Sequence, residues 1–585
     1  MKRIAVLLIA LLSLVLAVTP VFGASIQVTV NTDPPGGNVN GDGCTLREAI
    51  ENANDNAATH PDCAAGTAGL DTITFQSGIT KITLDDTGQT GEIFVDEDLS
   101  IVQPIILDGG TVTRIFRIAA GAELTLENIT VQNGFTAGAG GTILIDSGAL
   151  TLLNCNFKDN KAEGTGGAIA MIAPADSALD ITNCNFENNT AGTEGGAVHK
   201  TTGGTLNILT SRFKDNRADL SGGALAVGGI GTITATAFQD NKAKGDSDNE
   251  GGGAIYFSSE ATYNIVASGF AGNQATGTDG RGGAIFSAFG TDLAVEYSHF
   301  GTTPIPLPAP FDTLTAANET TGSGGMGGAI YNRDRLLVLG SSFIGNKSAQ
   351  HGGAIASDAS VDDDATLANS TFDSNTATGN GGAVYQFGDG REINIINSTI
   401  TANTANSGSG IYNNEENEGV RLSNTIIASN PNTNCAGTPV FNIIGNVLFG
   451  AACPANNALL EGDPKLQALE LTFSIPVIVT YSRNIGVDSA ASGTGDADVC
   501  AFPPILNLDQ RAFPRPQGGG NCDAGAVEGA STPGEITVVR PGPENVPDGS
   551  SVWFGSTALN APETIVFTVV NDGQDTLLLG DFDAA

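Results

Sequence analysis

The side chains able to do chemistry are mostly carboxylates. The chain has 585 residues and carries 63 acidic against 25 basic side chains, a net charge of −38. Four acidic groups stand out: Asp362-Asp363-Asp364, Asp246/Asp248/Glu250, Asp85-Asp86 and Asp509. Carboxylates that converge can share a Ca2+ ion, or act as acid and base on a glycosidic bond. Each group here is a run along one stretch of chain, the pattern of a solvated turn. Weak Ca2+ binding at Asp362, Asp363 and Asp364, or at Asp246, Asp248 and Glu250, is the most that this spacing supports. Arg281, Arg333 and Arg335 are the nearest thing to a basic set, and no evident carboxylate pair faces them. Histidine occurs only at positions 60, 199, 299 and 351. His199 and His351 flank different Gly-Gly marks many repeats apart, so they form neither a metal site nor a triad. G-x-S-x-G, Walker and H-E-x-x-H patterns are missing. No catalytic residue and no cofactor is assigned, and the chain reads as a binding or structural protein rather than an enzyme.

What positions these groups is a repeat. Gly-Gly-Ala-Ile stands at 166–169, 252–255, 282–285, 327–330 and 352–355, with variants at 195–198, 222–225 and 381–384. A second mark, Phe-x-x-Asn, runs between them: Phe157/Asn160, Phe186/Asn189, Phe213/Asn216, Phe238/Asn241, Phe270/Asn273, Phe343/Asn346 and Phe372/Asn375. Anchored on the aromatic position, most steps are 25 to 32 residues. Short alternating runs such as 149–157 and 336–343 end at the aromatic, and alternation at period two means strand. Two or three strands per unit, with no helical pattern, predict a right-handed parallel β-helix, one coil per unit. Stacked coils put equal positions in register. Phe then stacks on Phe, and Gly-Gly marks a tight corner. Asn sits where the strand turns, and an inward amide there can bond backbone groups of its own turn and of neighbouring coils. Two residues before the aromatic lies a ladder of small residues: Cys155, Cys184, Ser211, Thr236, Ser268, Ser298, Ser341, Ser370, Ser398 and Thr425.

Eight cysteines are present, and sequence neighbours pair as Cys44–Cys63, Cys155–Cys184, Cys435–Cys453 and Cys500–Cys522. None has metal-site spacing. Cys155 and Cys184 sit on adjacent rungs, so a disulfide and a reduced pair packed in line are both open. Residues 1–23 read as a secretory signal peptide: a basic start, then an apolar run from Ile4 to Val18. No later stretch is long and apolar enough to span a membrane. The acidic balance excludes nucleic acid and an anionic membrane as partners.

The remaining divisions follow. Residues 24–120 form an N-terminal cap and first coils, with a helix in Gly43–Asn54 capped by Thr45. Residues 121–430 are the repeat, 431–530 irregular final coils and closure, and 531–585 a linker and a truncated Ig-like β-sandwich module. One unit breaks the rhythm. Gly301-Thr302-Thr303, not an Asn, follows Phe300, and a Pro-rich insertion fills 304–326. Regular pairing is forbidden there, so a lateral loop is expected, and insertions often mark a binding face.

These motifs resemble known families. Residues 137–430 resemble the repeats of polymorphic outer membrane proteins. Cys44-Thr45-Leu46-Arg47-Glu48-Ala49 is similar to the CSLREA motif of exported β-helix proteins, with Thr45 in place of Ser. Asp509-Gln510-Arg511 with Cys522–Glu528 resembles the ending of choice-of-anchor Q domains, and 560–582 the opening of an Ig-like module. The resemblance implies a secreted or cell-surface protein, in some members an adhesin. A glycan or other host or cell-surface polymer is the expected partner. The alternatives are a polysaccharide lyase or hydrolase working in a lateral groove, and a rigid surface spacer.

Overall fold

The structure is a computed structural model. It describes residues 23–529 except 34–40, 86–90, 120, 173–176, 304–313, 359–364, 389–391, 416–418, 475–477 and 517–519, and the backbone of 536–540, 544–546 and 568–571. The leader, Asp86, Asp362–Asp364 and the four prolines of the insertion fall outside the described residues.

One coil shows the plan. A three-residue strand, Ile169–Met171, is followed by a five-residue strand, Ala178–Thr182. Asn185–Glu187 and the two-residue Thr190–Ala191 come next. The Gly-Gly corner then returns the chain to Val198–Lys200, which lies parallel on Ile169–Met171. Among the described residues, stacking builds four parallel sheets: sheet A of 15 strands, sheet B of 15 strands that include those bearing the Phe ladder, sheet C of 13 strands, and sheet D of nine short strands. The corner needs glycine for space. Gly166 has φ +65, and a Cβ on Gly167 would lie 2.0 Å from the Gly196 carbonyl oxygen.

Inside, the predicted ladders form. Phe157 through Phe372 stack with ring centroids 4.5–5.1 Å apart and planes within 9°. Each Asn amide donates to the next Asn oxygen at 2.8–3.1 Å from Asn160 to Asn430.

Of the two kinds of partner expected for the asparagines, the neighbouring coils are the ones used by Asn189, Asn216 and Asn375. Asn189, Asn216 and Asn375 are fully buried and bond to the coils on either side rather than to their own turns. One coil back, their amides donate to the carbonyls of Phe157, Phe186 and Phe343 at 3.0, 2.9 and 2.9 Å. One coil on, the same amides donate to the side-chain oxygens of Asn216, Asn241 and Asn403 at 2.9, 3.0 and 2.9 Å. Those oxygens also accept the backbone N–H of Asn189, Asn216 and Asn375 at 3.0, 3.1 and 2.9 Å. Asn241, Asn273 and Asn346 repeat the backward bond, to Phe213, Phe238 and Phe300. The physical reason is direction. An amide pointing along the stack meets the flanking coils, whose carbonyls lie in register with it. Each rung is thereby tied to two others, and a buried unsatisfied amide would cost about 1–3 kcal/mol. The rung after Phe300 is not missing: Asn318 accepts from Asn273 and donates to Asn346. The insertion lies between the aromatic and its Asn, and the chain re-enters register afterwards.

Cys155 and Cys184 are both free and buried. The Cys184 sulfur accepts the Cys155 backbone N–H at 3.2 Å, as Ser211 Oγ accepts that of Cys184 at 3.1 Å. The thiols thus do the hydroxyls' job in the small-residue ladder. The other three expected disulfides are formed.

At the N-terminal end, helix α1 (Leu46–Asp55) starts on a capping box of Thr45 and Glu48. Buried Arg47 grips Asp33 through Nε and Nη2 at 3.0 and 3.1 Å and reaches the Gly91 carbonyl at 3.1 Å. The helix is thereby tied to the first coils.

The closure differs from expectation. Coils continue to Leu460–Glu461. The chain then makes an antiparallel hairpin, Leu466–Ser474 with Ile478–Ile485, that folds back along the side of the solenoid. Its second strand touches sheet B at His299–Gly301, Ser342–Ile344 and Thr371–Asp373. Tyr481 joins Leu314, Ala237, Ala271 and Ile344 in a separate apolar cluster. Gln510 donates to the Ser341 and Tyr481 carbonyls at 3.1 and 3.0 Å and accepts from Thr371 at 2.6 Å. Asp509 accepts the backbone N–H groups of Arg511, Phe513 and Glu528. Fully buried Arg515 donates to the Asn369 side chain and the Ala526 carbonyl at 3.1 and 2.9 Å. The Asp509–Arg511 and Cys522–Glu528 motifs are therefore a clasp onto the flank. Further on, Glu544–Val546, Ile536–Arg540 and Thr568–Asn571 form a three-stranded antiparallel sheet.

Candidate functional site

The outer face of sheet C carries the most concentrated chemistry. Its strands are three residues long, so the first and third side chains enter the core and the middle one points out. Ile255 and Phe257 are fully buried in the main core, with Tyr256 between them on the outside. The middle positions run His199, Ala226, Tyr256, Phe286, Tyr331, Ala356, Tyr385 and Tyr412 in register. Five of these eight are aromatic. Tyr256–Phe286, Phe286–Tyr331 and Tyr385–Tyr412 centroids are 5.2, 5.3 and 5.5 Å apart. Where Ala356 interrupts, Phe387 bridges Tyr331 and Tyr385 at 6.3 and 5.2 Å. Met326, the last residue of the insertion, packs on this stripe.

Charged groups sit over the rings. Arg281 Cζ lies 4.9 Å from the Tyr331 centroid, and Arg333 Cζ lies 4.1 Å from that of Phe289. Such cation–π contacts are worth about 0.5–2 kcal/mol and hold a guanidinium flat on the surface. Tyr331 donates to Asp358 Oδ2 at 3.0 Å, and Arg333 Nε lies 3.6 Å from the same oxygen. Burial pushes the Asp358 carboxyl and the Tyr331 phenol up. The His351 ring stacks on Tyr385 at 4.4 Å, and its Nδ1 accepts the Asn380 N–H at 3.0 Å. Burial first, then the Arg281 charge, pushes the His351 pKa down, so its imidazole is neutral with Nε2 as donor. Arg281 Nε and Nη1 are buried without a hydrogen-bond partner among the described residues. A buried donor left without an acceptor is costly, so these two atoms stand out on this face.

The sequence candidates are sorted as follows. Arg281 and Arg333 lie on this face, and Arg333 meets the Asp358 carboxylate. Arg335 lies on sheet A, 3.5 Å from Asp292. His199 is in the same outward row but stands 3.7 Å from Glu194. His299 is fully buried under the hairpin, its Nδ1 2.9 Å from Ser342 Oγ. Asp246, Asp248 and Glu250 do not converge. Asp246 pairs with Lys244 at 2.7 Å, while Glu250 accepts the backbone N–H groups of Asp246 and Ser247. Asp509 serves the clasp. The aromatic row escaped the sequence reading, although its signal is plain: it is the residue after each Gly-Gly-Ala-Ile mark, outward by alternation.

Comparison with known proteins fits this geometry. The family described as a right handed beta helix region matches residues 115–294, and the Chlamydia polymorphic membrane protein repeat matches 340–358 and 369–386. The chain folds as a right-handed parallel β-helix with repeats of the polymorphic membrane protein type. Among solved structures, the tailspike protein of E. coli bacteriophage HK620 in complex with a pentasaccharide is similar at 13% identity. That match covers 72% of this chain and 78% of the tailspike, with a TM-score of 0.27. A search of curated proteins gives no match. Among the described residues, no helix is long and apolar enough to cross a membrane.

Proposed function

We propose that this is a secreted or cell-surface β-helix protein that binds a glycan, without cleaving it, on the outer face of sheet C. The observation that carries the reading is Arg281: a guanidinium held on Tyr331, with two buried donors unpaired among the described residues. Sugar hydroxyls and carboxylates are acceptors of the right kind. The partly exposed rings of Tyr256, Phe289, Phe387 and Tyr412 flank it with apolar faces on which a pyranose can lie. Hydrolysis by the usual paired-carboxylate route needs a second carboxyl group. Asp358 is tied to Tyr331 and Arg333, and Asp248 lies near enough for its charge to act on Asp358, so a depolymerisation assay decides whether the two work as a pair. Export is supported by the leader-like residues 1–23, by three disulfides and by the resemblance of Cys44–Ala49 to the CSLREA motif. Adhesion is the role this combination suits.

A screen of the secreted protein against glycan arrays, alongside depolymerisation assays on acidic polysaccharides, tests the reading. Binding is expected without unsaturated or shortened products, and Arg281→Ala is expected to weaken it at least tenfold. Release of unsaturated sugars would establish the lyase alternative instead. Absence of binding to any polymer would leave the spacer.

A further inference from the structure

A second site lies at the other end of the molecule. Asp42, Glu48 and Asp62 each bring a carboxylate oxygen within 4.8 Å of the other two. They come from three segments: the approach to the helix, the first turn of α1, and the loop after it. The Cys44–Cys63 disulfide clamps these together, with Asp42 two residues before one cysteine and Asp62 immediately before the other. Glu48 is fully buried. Its Oε2 accepts from the Thr45 N–H and hydroxyl at 3.0 and 3.1 Å, which accounts for one oxygen. Its Oε1 is buried with no hydrogen-bond partner among the described residues. The capping box explains why Glu48 is present but not why its second oxygen is left bare beside two more carboxylates. His60 is the near cationic candidate; its Nε2 is 2.5 Å from Glu51, and its Nδ1 stands 3.8 Å from Glu48 Oε1. Arg47, next in sequence, is turned away onto Asp33.

We infer that Asp42, Glu48 and Asp62 bind a divalent cation, and that the cation is Ca2+. The three side chains supply oxygen only, and both neighbouring sulfurs are locked in the disulfide, which disfavours a soft or borderline metal. Two oxygens bound to one Ca2+ ion stand at most roughly 4.6–5.2 Å apart, and the three here lie within 4.8 Å of one another; water and backbone carbonyls would complete a six- to eight-fold shell. The bound ion would neutralise three clustered negative charges and give the bare Glu48 oxygen a partner. It would also fasten α1 over the open end of the solenoid, where strand edges need cover.

The test is calorimetric titration of chelator-treated full-length protein with CaCl2, with thermal unfolding followed in Ca2+ and in EDTA. Wild type is expected to bind Ca2+ and to unfold at higher temperature with it. Asp42→Asn/Asp62→Asn is expected to lose at least tenfold in affinity and to show a smaller thermal shift. Both positions are solvent-accessible, so the variant should keep its circular dichroism and its three disulfides. Glu48→Gln, which retains an acceptor for the capping box, should weaken binding by itself. Wild type that takes up no Ca2+, or a double variant that binds it as tightly as wild type, would overturn the assignment.

Discussion

Sheet B is one continuous sheet with two characters. In the strands Asn156–Lys158, Asn185–Glu187 and Arg212–Lys214, only the central Phe is buried and the flanking polar side chains face water. From Ala237–Gln239 through Ile426–Ala428 every residue of each strand is buried. The inner ladders do not change across this boundary: Phe213 stacks on Phe238 at 5.1 Å just as Phe186 stacks on Phe213 at 4.7 Å. Asn189 in the open region and Asn375 in the covered one make the same pair of bonds. Only the outward residues change, from Asn, Lys, Glu and Arg to mostly Ala, Gly, Ser, Thr and Ile, with Gln239, His299 and Asp373 as buried polar exceptions. The difference separates two kinds of information in one repeat. Inward residues specify that a coil forms, and outward residues specify what lies on it.

The comparison can be broken or sharpened by experiment. The largest effect is expected inside, and it should be equal in both regions. Phe186→Ala and Phe343→Ala should each cost about 3–5 kcal/mol in denaturant unfolding. A large difference between them would mean that the ladder is not uniform. Next is Ala271→Lys, which places an ammonium in the apolar cluster that holds Leu314 and Tyr481. It should cost about 3–5 kcal/mol or release residues 466–485 to protease, since a buried charge without a partner is not tolerated. The reverse change in the open region, Lys158→Ala, should stay within about 0.5 kcal/mol. Covered and open faces are equivalent if these two variants behave alike.

Acid should distinguish the regions as well. Burial lowers the His299 pKa from 6.5 to about 4. Between those values the unfolded chain binds a proton that the folded one refuses. Stability is therefore full above pH 6.5 and falls as pH drops toward 4, by about 3 kcal/mol for this group. His299→Gln should remove that part of the acid dependence, measured as the difference from wild type at pH 7 and pH 4. Asn185, at the corresponding position of the open face, has no proton to exchange in this range. A small effect is also expected at Cys184→Ser. It restores the residue type used by Ser211 and Ser268 in the same ladder and should cost less than about 1 kcal/mol. A larger loss would show that the two thiols hold the open region in a way the hydroxyls do not.

Much of this was legible beforehand, and for a reason. Phe157, Asn160 and Gly166 recur because each must match its copy one coil away, so spacing alone reveals them. Where the amides of Asn189, Asn216 and Asn375 bond was less legible, since own turn and next coil look alike until the coils are stacked. The Tyr331–Asp358–Arg333 contact was not legible at all, because those residues share no repeated pattern and meet only in the assembled solenoid. The aromatic row over sheet C fell between: it is periodic, but its outward direction becomes meaningful only beside the corners that frame it. Asn318 shows the converse, a ladder residue hidden by an insertion that shifted its number and left its place intact.

The sequence by itself determined the coil, its corner and the ladders that fill it, since these are short-range matches repeated many times. Tertiary structure alone decided which flank is open. The hairpin lies on sheet B through contacts made once, between segments more than 100 residues apart, such as Tyr481 on Ser342 and Arg515 on Asn369. A contact made once leaves no period in the sequence. The same holds for the carboxylates at the N-terminal end. Asp42, Glu48 and Asp62 read as three unrelated acids until a helix and a disulfide bring them together.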